Sequence, residues 1–414
     1  MPQSPWLNIS DDSDFSIHNL PYGIFSTASR RPRVGVAIGE YIIDMAAVAG
    51  RGKLHDLKVP LEVFEETSLN AFMRLGKAKW KVVRQRLLQW ISQENSPLEQ
   101  LKNECLVRQS EARMHLPVQI GDYTDFYASE EHATNVGTMF RGKENALLPN
   151  WKHMPIAYHG RTSSIVVSGT DIHRPKGQIM PAGAETPVFA ETQKLDFELE
   201  MAAVVGKDSQ LGHPVSTEEA EDYIFGFVLF NDWSARDIQR WEYVPLGPFL
   251  GKNFASSISP WIVPLEALQA FQKDGPEQIP NPLPYLQKAN PRNFDVQLEV
   301  SLQFEEGESQ VISQTNFRHM YWSIHQQIAH HTVNGCNLRV GDLLASGTIS
   351  GKTPGSQGSM LELSWNGERP LQLNSGVSRS FVEDGDTIRM RGFAEKENIR
   401  IGFGEVTTKI LPAL

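Results

Sequence analysis

Cysteine is nearly absent from this chain: Cys105 and Cys336 are the only two among 414 residues. Two are too few for a disulfide framework and lack the close spacing of a zinc site, which implies a reducing, intracellular compartment. Long apolar runs are missing as well. The longest, such as Phe225-Gly-Phe-Val-Leu-Phe230, falls far short of the roughly 18 residues a membrane helix needs, so a soluble protein is expected. No Lys or Arg precedes Arg30, and Met1-Pro-Gln-Ser-Pro-Trp6 opens no apolar segment. Neither a secretory signal nor a basic transit peptide is expected, and the sequon Asn8-Ile-Ser10 is then without consequence. Positive charge is in deficit: 39 Lys+Arg stand against 49 Asp+Glu, a formal charge of -10. With no basic stripe to track phosphates, nucleic acid is excluded as a partner. There is no Gly-x-Ser-x-Gly elbow and no His-Glu-x-x-His pair, so serine-hydrolase and zincin chemistry lose their usual support. Ser346-Gly-Thr-Ile-Ser-Gly-Lys-Thr353 has three residues between its glycines where a P-loop needs four, and Pro354-Gly355 blocks the helix that must follow.

What is present is a chain of two or three domains' length, with 40% hydrophobic and 21% charged residues. Val34–Ile38 and Tyr41–Ile43 read as a hairpin around Gly39-Glu40. Phe72, Leu75, Val83, Leu87 and Ile91 recur at helical spacing and predict one amphipathic helix from Leu69 to Ile91, with a second from Leu98 to Arg108. After His115-Leu-Pro117 the pattern changes to short strands punctuated by Gly and Pro, which sets a domain boundary near residue 117. Strands are expected at Ser164–Ser168, Phe197–Val205, Tyr223–Phe230, Phe294–Phe304, Gly358–Trp365 and Thr387–Phe393, with a helix at Asn316–His330. The fold class is therefore mainly β with some helix, an antiparallel or mixed sheet assembly rather than a doubly wound one. Lys273 to Arg292 carries Pro276, Pro280, Pro282, Pro284 and Pro291, and reads as an extended surface loop.

Chemistry is concentrated in a few places. In Leu195-Asp-Phe-Glu-Leu-Glu-Met201 strict alternation on a strand puts Asp196, Glu198 and Glu200 on one face. That face is either an ordinary solvated one or a site where two carboxylates reach one hard cation. Asp232 ends an apolar strand and needs a partner there, either a metal or Arg236 in an i,i+4 ion pair. Asp125 is a further candidate ligand or a turn cap. His132, preceded by two acids, could act as a general base near neutral pH or be a plain surface histidine. His330-His331 is assigned to structure, since neighbours on a helix diverge by about 100°. Arg141 and Lys252 stand in Gly-flanked loops, where a cation can hold a carboxylate.

Several longer stretches carry a resemblance: Asp122-Tyr-Thr-Asp-Phe-Tyr127, His132-Ala-Thr-Asn-Val-Gly137, Met139 to Trp151, Asn231-Asp-Trp-Ser-Ala-Arg-Asp-Ile-Gln239 and Trp241 to Lys252. Over nearly its whole length the chain resembles the fumarylacetoacetate hydrolase family, and Asn19-Leu-Pro-Tyr-Gly-Ile-Phe25 is similar to an N-terminal domain that many shorter members lack. The resemblance implies hydrolysis of the carbon–carbon bond of 4-fumarylacetoacetate to fumarate and acetoacetate, the last step of tyrosine and phenylalanine catabolism. It further implies a cytoplasmic homodimer built from a small SH3-like barrel, residues 1–117, and a catalytic β-sandwich roll, residues 118–414. Mg²⁺, Ca²⁺ or both would be bound at a metal site made by Asp125, Glu198, Glu200, Asp232, Lys252 and Ser256, the four acids as its carboxylates. His132 would be the general base, oriented by Glu362, which strand alternation turns away from Leu361, Leu363 and Trp365. Arg236, Gln239 and Lys252 would stabilise developing negative charge. Tyr127, Arg141, Gln239, Tyr243 and Thr348 would contact a small, dianionic diketo acid. One departure from the family is Asn253-Phe-Ala-Ser-Ser257, where Gly-Thr is usual at the Ala-Ser step; Ser256 keeps the hydroxyl for a second ion site. Rival readings are an acylpyruvate hydrolase or oxaloacetate decarboxylase of the same superfamily, and a catalytically silent metal-binding scaffold.

Overall fold

The computed structural model describes residues 4–290, 292–304, 308–374 and 376–414. Met1 to Gln3, part of the opening segment considered above, and Pro291 of the proline-rich stretch lie outside them. The chain is mainly β, as expected, with curled sheets and a minority of helix. An N-terminal five-stranded antiparallel sheet runs in the order Leu106–Arg108, Tyr41–Asp44, Arg30–Ile38, Tyr22–Thr27, Arg113–His115. The anticipated hairpin is its centre, with Ile38 opposite Tyr41.

The second region is built on a mixed sheet. Its central strands Leu199–Val205 and Ile224–Asp232 pair antiparallel, while Tyr123–Phe126 joins Leu343–Ala345 in parallel. A five-stranded sheet centred on Gln297–Phe304, Thr387–Lys396 and Ile399–Leu411 lies across it. Leu199, Met201, Ala203 and Val205 share a hydrophobic cluster with Leu298, Val300, Met390 and Phe403 of that sheet. Ala202 and Val204, on the opposite side of the same strand, join Ile24, Val36 and Phe72 of the N-terminal region. Both faces of the central sheet are thus covered, and every residue of Leu199–Val205 and Ile224–Asp232 is buried. Antiparallel sheets commonly leave one face to water. Leu199–Val205 and Ile224–Asp232 are buried on both faces, so the bland reading of Glu200 is removed by packing alone.

Five expected elements are corrected. The helix from Leu69 to Ile91 is two helices, Asn70–Met73 and Lys77–Ile91, parted at Gly76. Gly76 takes φ 83° at the second helix's N-cap, a conformation that costs a side-chain-bearing residue steric strain. Leu98–Arg108 is not a helix throughout: Pro97–Gln100 and Lys102–Cys105 are single turns, and Leu106–Arg108 is an edge strand beside Tyr41–Ile43. The strand Phe197–Val205 starts at Leu199, because the backbone leaves the sheet at Phe197-Glu198 after the short strand Leu195–Asp196. Asn316–His330 begins as the end of a strand, passes through the 3₁₀ turn Phe317–His319, and becomes a helix only at Ile324–Thr332 behind the Ser323–Gln326 capping box. Gly358–Trp365 is no strand but a helical turn, Met360–Leu363, capped by Ser359. The proline-rich stretch runs largely over the surface, anchored by buried Gln278, whose amide donates to the Tyr321 carbonyl at 2.8 Å. No helix among the described residues is long and apolar enough to cross a membrane.

Candidate active site

Three segments converge at one end of the central sheet. Tyr123–Phe126 delivers Asp125, the entry to Leu199–Val205 delivers Glu198 and Glu200, and the last residue of Ile224–Asp232 is Asp232. Their carboxylates come within 4.8 Å of one another, all buried. Such a concentration of negative charge away from water is unstable unless it is answered. Lys252 and Arg236 answer part of it. The Lys252 ammonium reaches Glu198 at 2.5 Å and Asp232 at 2.7 Å, and Arg236 Nη1 reaches Glu198 at 2.7 Å. Asp232 also accepts from Tyr158 Oη at 2.6 Å and Ser256 Oγ at 3.0 Å.

The compensation is uneven. Burial raises the Glu198 carboxyl, but Lys252 and Arg236 outweigh it and hold the group well below the ordinary carboxylate range. Among the described residues Glu200 receives only the Gly347 N–H, at 3.0 Å, and its Oε1 has no hydrogen-bond partner. Gly347 can come that close only as glycine: it takes φ +77° and a Cβ there would lie 2.1 Å from the Phe126 carbonyl oxygen. Asp125 Oδ1 is also buried, with no hydrogen-bond partner among the described residues. Burial pushes both Asp125 and Glu200 well above the usual carboxylate range, reinforced by Asp232 and by Asp125 respectively. Unmatched oxygens on clustered carboxylates are the donor set of a hard divalent cation, and Asp125, Glu198, Glu200 and Asp232 fit Mg²⁺ or Ca²⁺. The charged Lys252 ammonium has no free lone pair, so that group acts in the cluster as a counter-charge. Attraction to Asp232 and Glu198 keeps it charged against the opposing effect of burial.

Beside this cluster lies an acid–base pair. Ser129 caps the helix Glu130–Arg141, and on its first turn His132 turns Nδ1 to Glu362 Oε2 at 2.6 Å. Glu362 comes from the helical turn rather than from a strand, and the turn is held by Asp196, which accepts the Met360 and Leu361 N–H groups at 2.6 and 3.0 Å. Asp196 therefore does not share the metal face that alternation assigned to it. It also takes Arg236 Nε at 2.8 Å, so of the two alternatives for Asp232 the i,i+4 pair with Arg236 is not formed, and Arg236 bridges Asp196 and Glu198. The break at Phe197-Glu198 is the physical cause, because it points Asp196 away from Glu200. Glu362 is further bonded by Ser350 Oγ at 2.9 Å, Ser359 Oγ at 2.8 Å and Asn135 Nδ2 at 2.9 Å. These donors, with His132, hold Glu362 below its ordinary value against the raising effect of burial.

Of the remaining expected residues, Tyr127 packs its ring edge-on to His132, with centroids 5.2 Å apart. Gln239 Oε1 accepts from Arg236 Nη1 at 3.3 Å. Thr348 Oγ1 and Arg236 Nη2 are buried without hydrogen-bond partners among the described residues. Arg141 and Tyr243 are not brought into the cluster: both are exposed, and Arg141 bonds the Asn145 and Ala146 carbonyls of its own loop. His330 and His331 are structural as expected, bonded to Tyr285 and Thr124. Tyr158, Asn135, Ser350 and Ser359 were not foreseen. Only Asn135 carried a signal, lying three residues after His132 and so on the same helical face.

A mainly β fold that holds a buried carboxylate cluster beside a His–Glu pair defines a class of protein suited to acid–base chemistry assisted by a hard divalent cation. Residues 18–117 match the model described as fumarylacetoacetase N-terminal, and residues 122–411 match fumarylacetoacetate hydrolase C-terminal. The chain belongs to the fumarylacetoacetate hydrolase family. It is 53% identical to fumarylacetoacetase of Rattus norvegicus and 52% identical to that of Homo sapiens, in each case over 99% of both chains. The fold is shared with solved structures of low identity: a fumarylacetoacetate hydrolase from Exiguobacterium antarcticum (TM-score 0.54, 17% identity) covers 95% of this chain and 99% of its own. A maleylpyruvate hydrolase from Sphingobium (TM-score 0.52, 15% identity) covers 95% of this chain and 100% of its own.

Proposed function

We propose that this chain hydrolyses 4-fumarylacetoacetate to fumarate and acetoacetate, the final step of tyrosine and phenylalanine catabolism. One observation carries the reading: the unmatched Asp125 and Glu200 oxygens sit in the same buried site as the His132–Glu362 pair. The substrate assignment is supported by the named relatives, which span the whole chain. The same reading takes residues 1–117 and 118–414 as its two domains, the cytoplasm as its compartment and a homodimer as its working form.

Glu362 occupies Nδ1 of His132, which leaves Nε2 to accept a proton from water. The resulting hydroxide adds to the ketone next to the fumaryl group, and the carbon–carbon bond breaks with its electron pair passing to the acetoacetate enolate. His132 returns the proton to that carbanion, so water and substrate balance the two products. Arg236, with Nη2 uncommitted, and Lys252 with Gln239 offset negative charge on the oxyanion and the enolate, where low dielectric makes a fixed charge most effective. Tyr127 and Thr348 orient the diketo acid, and Arg141 and Tyr243 meet it from the surface. Asp125, Glu198, Glu200 and Asp232 would hold Mg²⁺ or Ca²⁺, with Ser256 beside Asp232 for a second ion, and the ion would supply Lewis-acid polarisation of the ketone. The test is a competition among substrates: purified protein is given fumarylacetoacetate and acylpyruvates, and products are identified. Turnover of fumarylacetoacetate to fumarate is expected. Inert fumarylacetoacetate beside a reactive acylpyruvate would overturn the substrate assignment while leaving the chemistry.

A further inference from the structure

Asp196 is a fully buried carboxylate outside both the four-acid cluster and the His–Glu pair, yet it bonds to a support of each. Its seat is fixed by the two-residue strand Leu195–Asp196, which pairs with Ser234–Ala235 directly ahead of the helix Arg236–Glu242. Its Oδ1 accepts the Met360 N–H at 2.6 Å, and its Oδ2 accepts the Leu361 N–H at 3.0 Å and Arg236 Nε at 2.8 Å. These three donors need an acceptor on both oxygens, which an asparagine amide at the same place cannot supply. The first two donors open the turn Met360–Leu363, whose Glu362 meets His132. The third holds one edge of the Arg236 guanidinium, while Arg236 Nη1 goes to Glu198 at 2.7 Å. Two anchors fix the plane of that group, and with it the direction of Nη2, which has no hydrogen-bond partner among the described residues.

We infer that Asp196 is a positioning residue that sets, from one carboxylate, both the turn carrying Glu362 and the plane of Arg236; the inference rests on the roles proposed above for His132 and Arg236. Its surface is covered and both its oxygens are engaged within the chain, so it acts through the groups it holds. Arg236 makes no hydrogen bond to His132 or Glu362 among the described residues, and Asp196 is the link between them. What that link supplies is the alignment of base and cation, where a displacement of about 1 Å costs on the order of 10²-fold in rate.

The test compares wild type with Asp196→Asn and Arg236→Lys. On fumarylacetoacetate, Asp196→Asn should lower kcat about 100-fold while KM stays within about threefold. Combined with Glu362→Gln it should lose less than the product of the two single losses, because both changes act on His132. A full product, or a raised KM with kcat kept, would overturn the inference. A second readout needs no turnover. The His132 Nδ1 proton, held toward Glu362 at 2.6 Å, should give a far-downfield proton resonance in wild type, assigned by its loss in His132→Ala. That resonance should move upfield in Asp196→Asn. It should also move in Arg236→Lys, which keeps the charge but loses the Nε donor to Asp196, and which carries the test if Asp196→Asn does not fold. An unmoved resonance in either folded variant would overturn the inference. If wild type leaves fumarylacetoacetate untouched, the proposed function fails by itself, and the resonance still decides whether Asp196 sets the pair.

Discussion

Glu362 and Glu200 are both buried carboxylates of one site, yet the chain treats them in opposite ways. Glu362 takes His132, Ser350, Ser359 and Asn135 as partners. Glu200 takes one backbone N–H and keeps an oxygen with none, as Asp125 does. On the proposed reading, the saturated side fixes a charge and orients the base, and the unmatched oxygens on the other side would serve a cation. On that reading the His132–Glu362 pair is positioned by the chain's own residues, while Asp125 and Glu200 depend on a bound ion for their partners.

The largest expected effect breaks the saturated side. His132→Ala should lower kcat by about 10³-fold or more, within the range of general-base catalysis, while circular dichroism and ion binding stay those of wild type. Near-normal turnover would remove His132 as the base. On the starved side, Mg²⁺ or Ca²⁺ should raise Tm in a concentration-dependent way, by about 3 kcal/mol of stability at a hundredfold excess over Kd. Glu200→Gln should raise the Tm of the ion-free protein and cut that response, since a neutral amide relieves the crowding that the cation otherwise offsets. A lower ion-free Tm in Glu200→Gln would contradict the deficit.

Acid sharpens the contrast further. The folded carboxyl of Glu362 lies below its unfolded value, so its stabilising contribution is complete above the ordinary carboxylate range. It is lost as pH falls through the folded value, and Glu362→Gln should flatten the acid limb of a stability–pH curve measured by urea unfolding. The smallest effect belongs to Asn135→Ala. One donor to Glu362 is lost, at about 1 kcal/mol, so kcat should fall several-fold with KM unchanged and the acid limb of the pH–rate profile should move upward. An unmoved limb would make Asn135 merely structural.

Much of the starved side was legible in the sequence. Glu198 and Glu200 stand out by alternation, Asp232 by ending an apolar strand, and Asp125 by its motif. The saturated side was less so. Leu361, Leu363 and Trp365 alternate as a strand does, yet Ser359 caps a helical turn there, and local capping outweighs a short periodicity. Asp196 was grouped with Glu198 because nothing in the alternation shows that the backbone leaves the sheet at Phe197. Tyr158, Ser350 and Ser359 are single polar residues far apart in the chain, and only tertiary folding gives them a common target. Coverage of the central sheet's second face by the N-terminal region is likewise a long-range fact, invisible to a window of a few residues.

The most direct measurement follows the conjugated-diketone absorbance of fumarylacetoacetate with purified protein, before chelation, after it, and with Mg²⁺ or Ca²⁺ restored. Loss of absorbance with fumarate appearing, abolished by the chelator and recovered with the ion, is the predicted result. Turnover indifferent to chelation, or none under any condition, would contradict a site that combines a complete base with an incomplete cation shell.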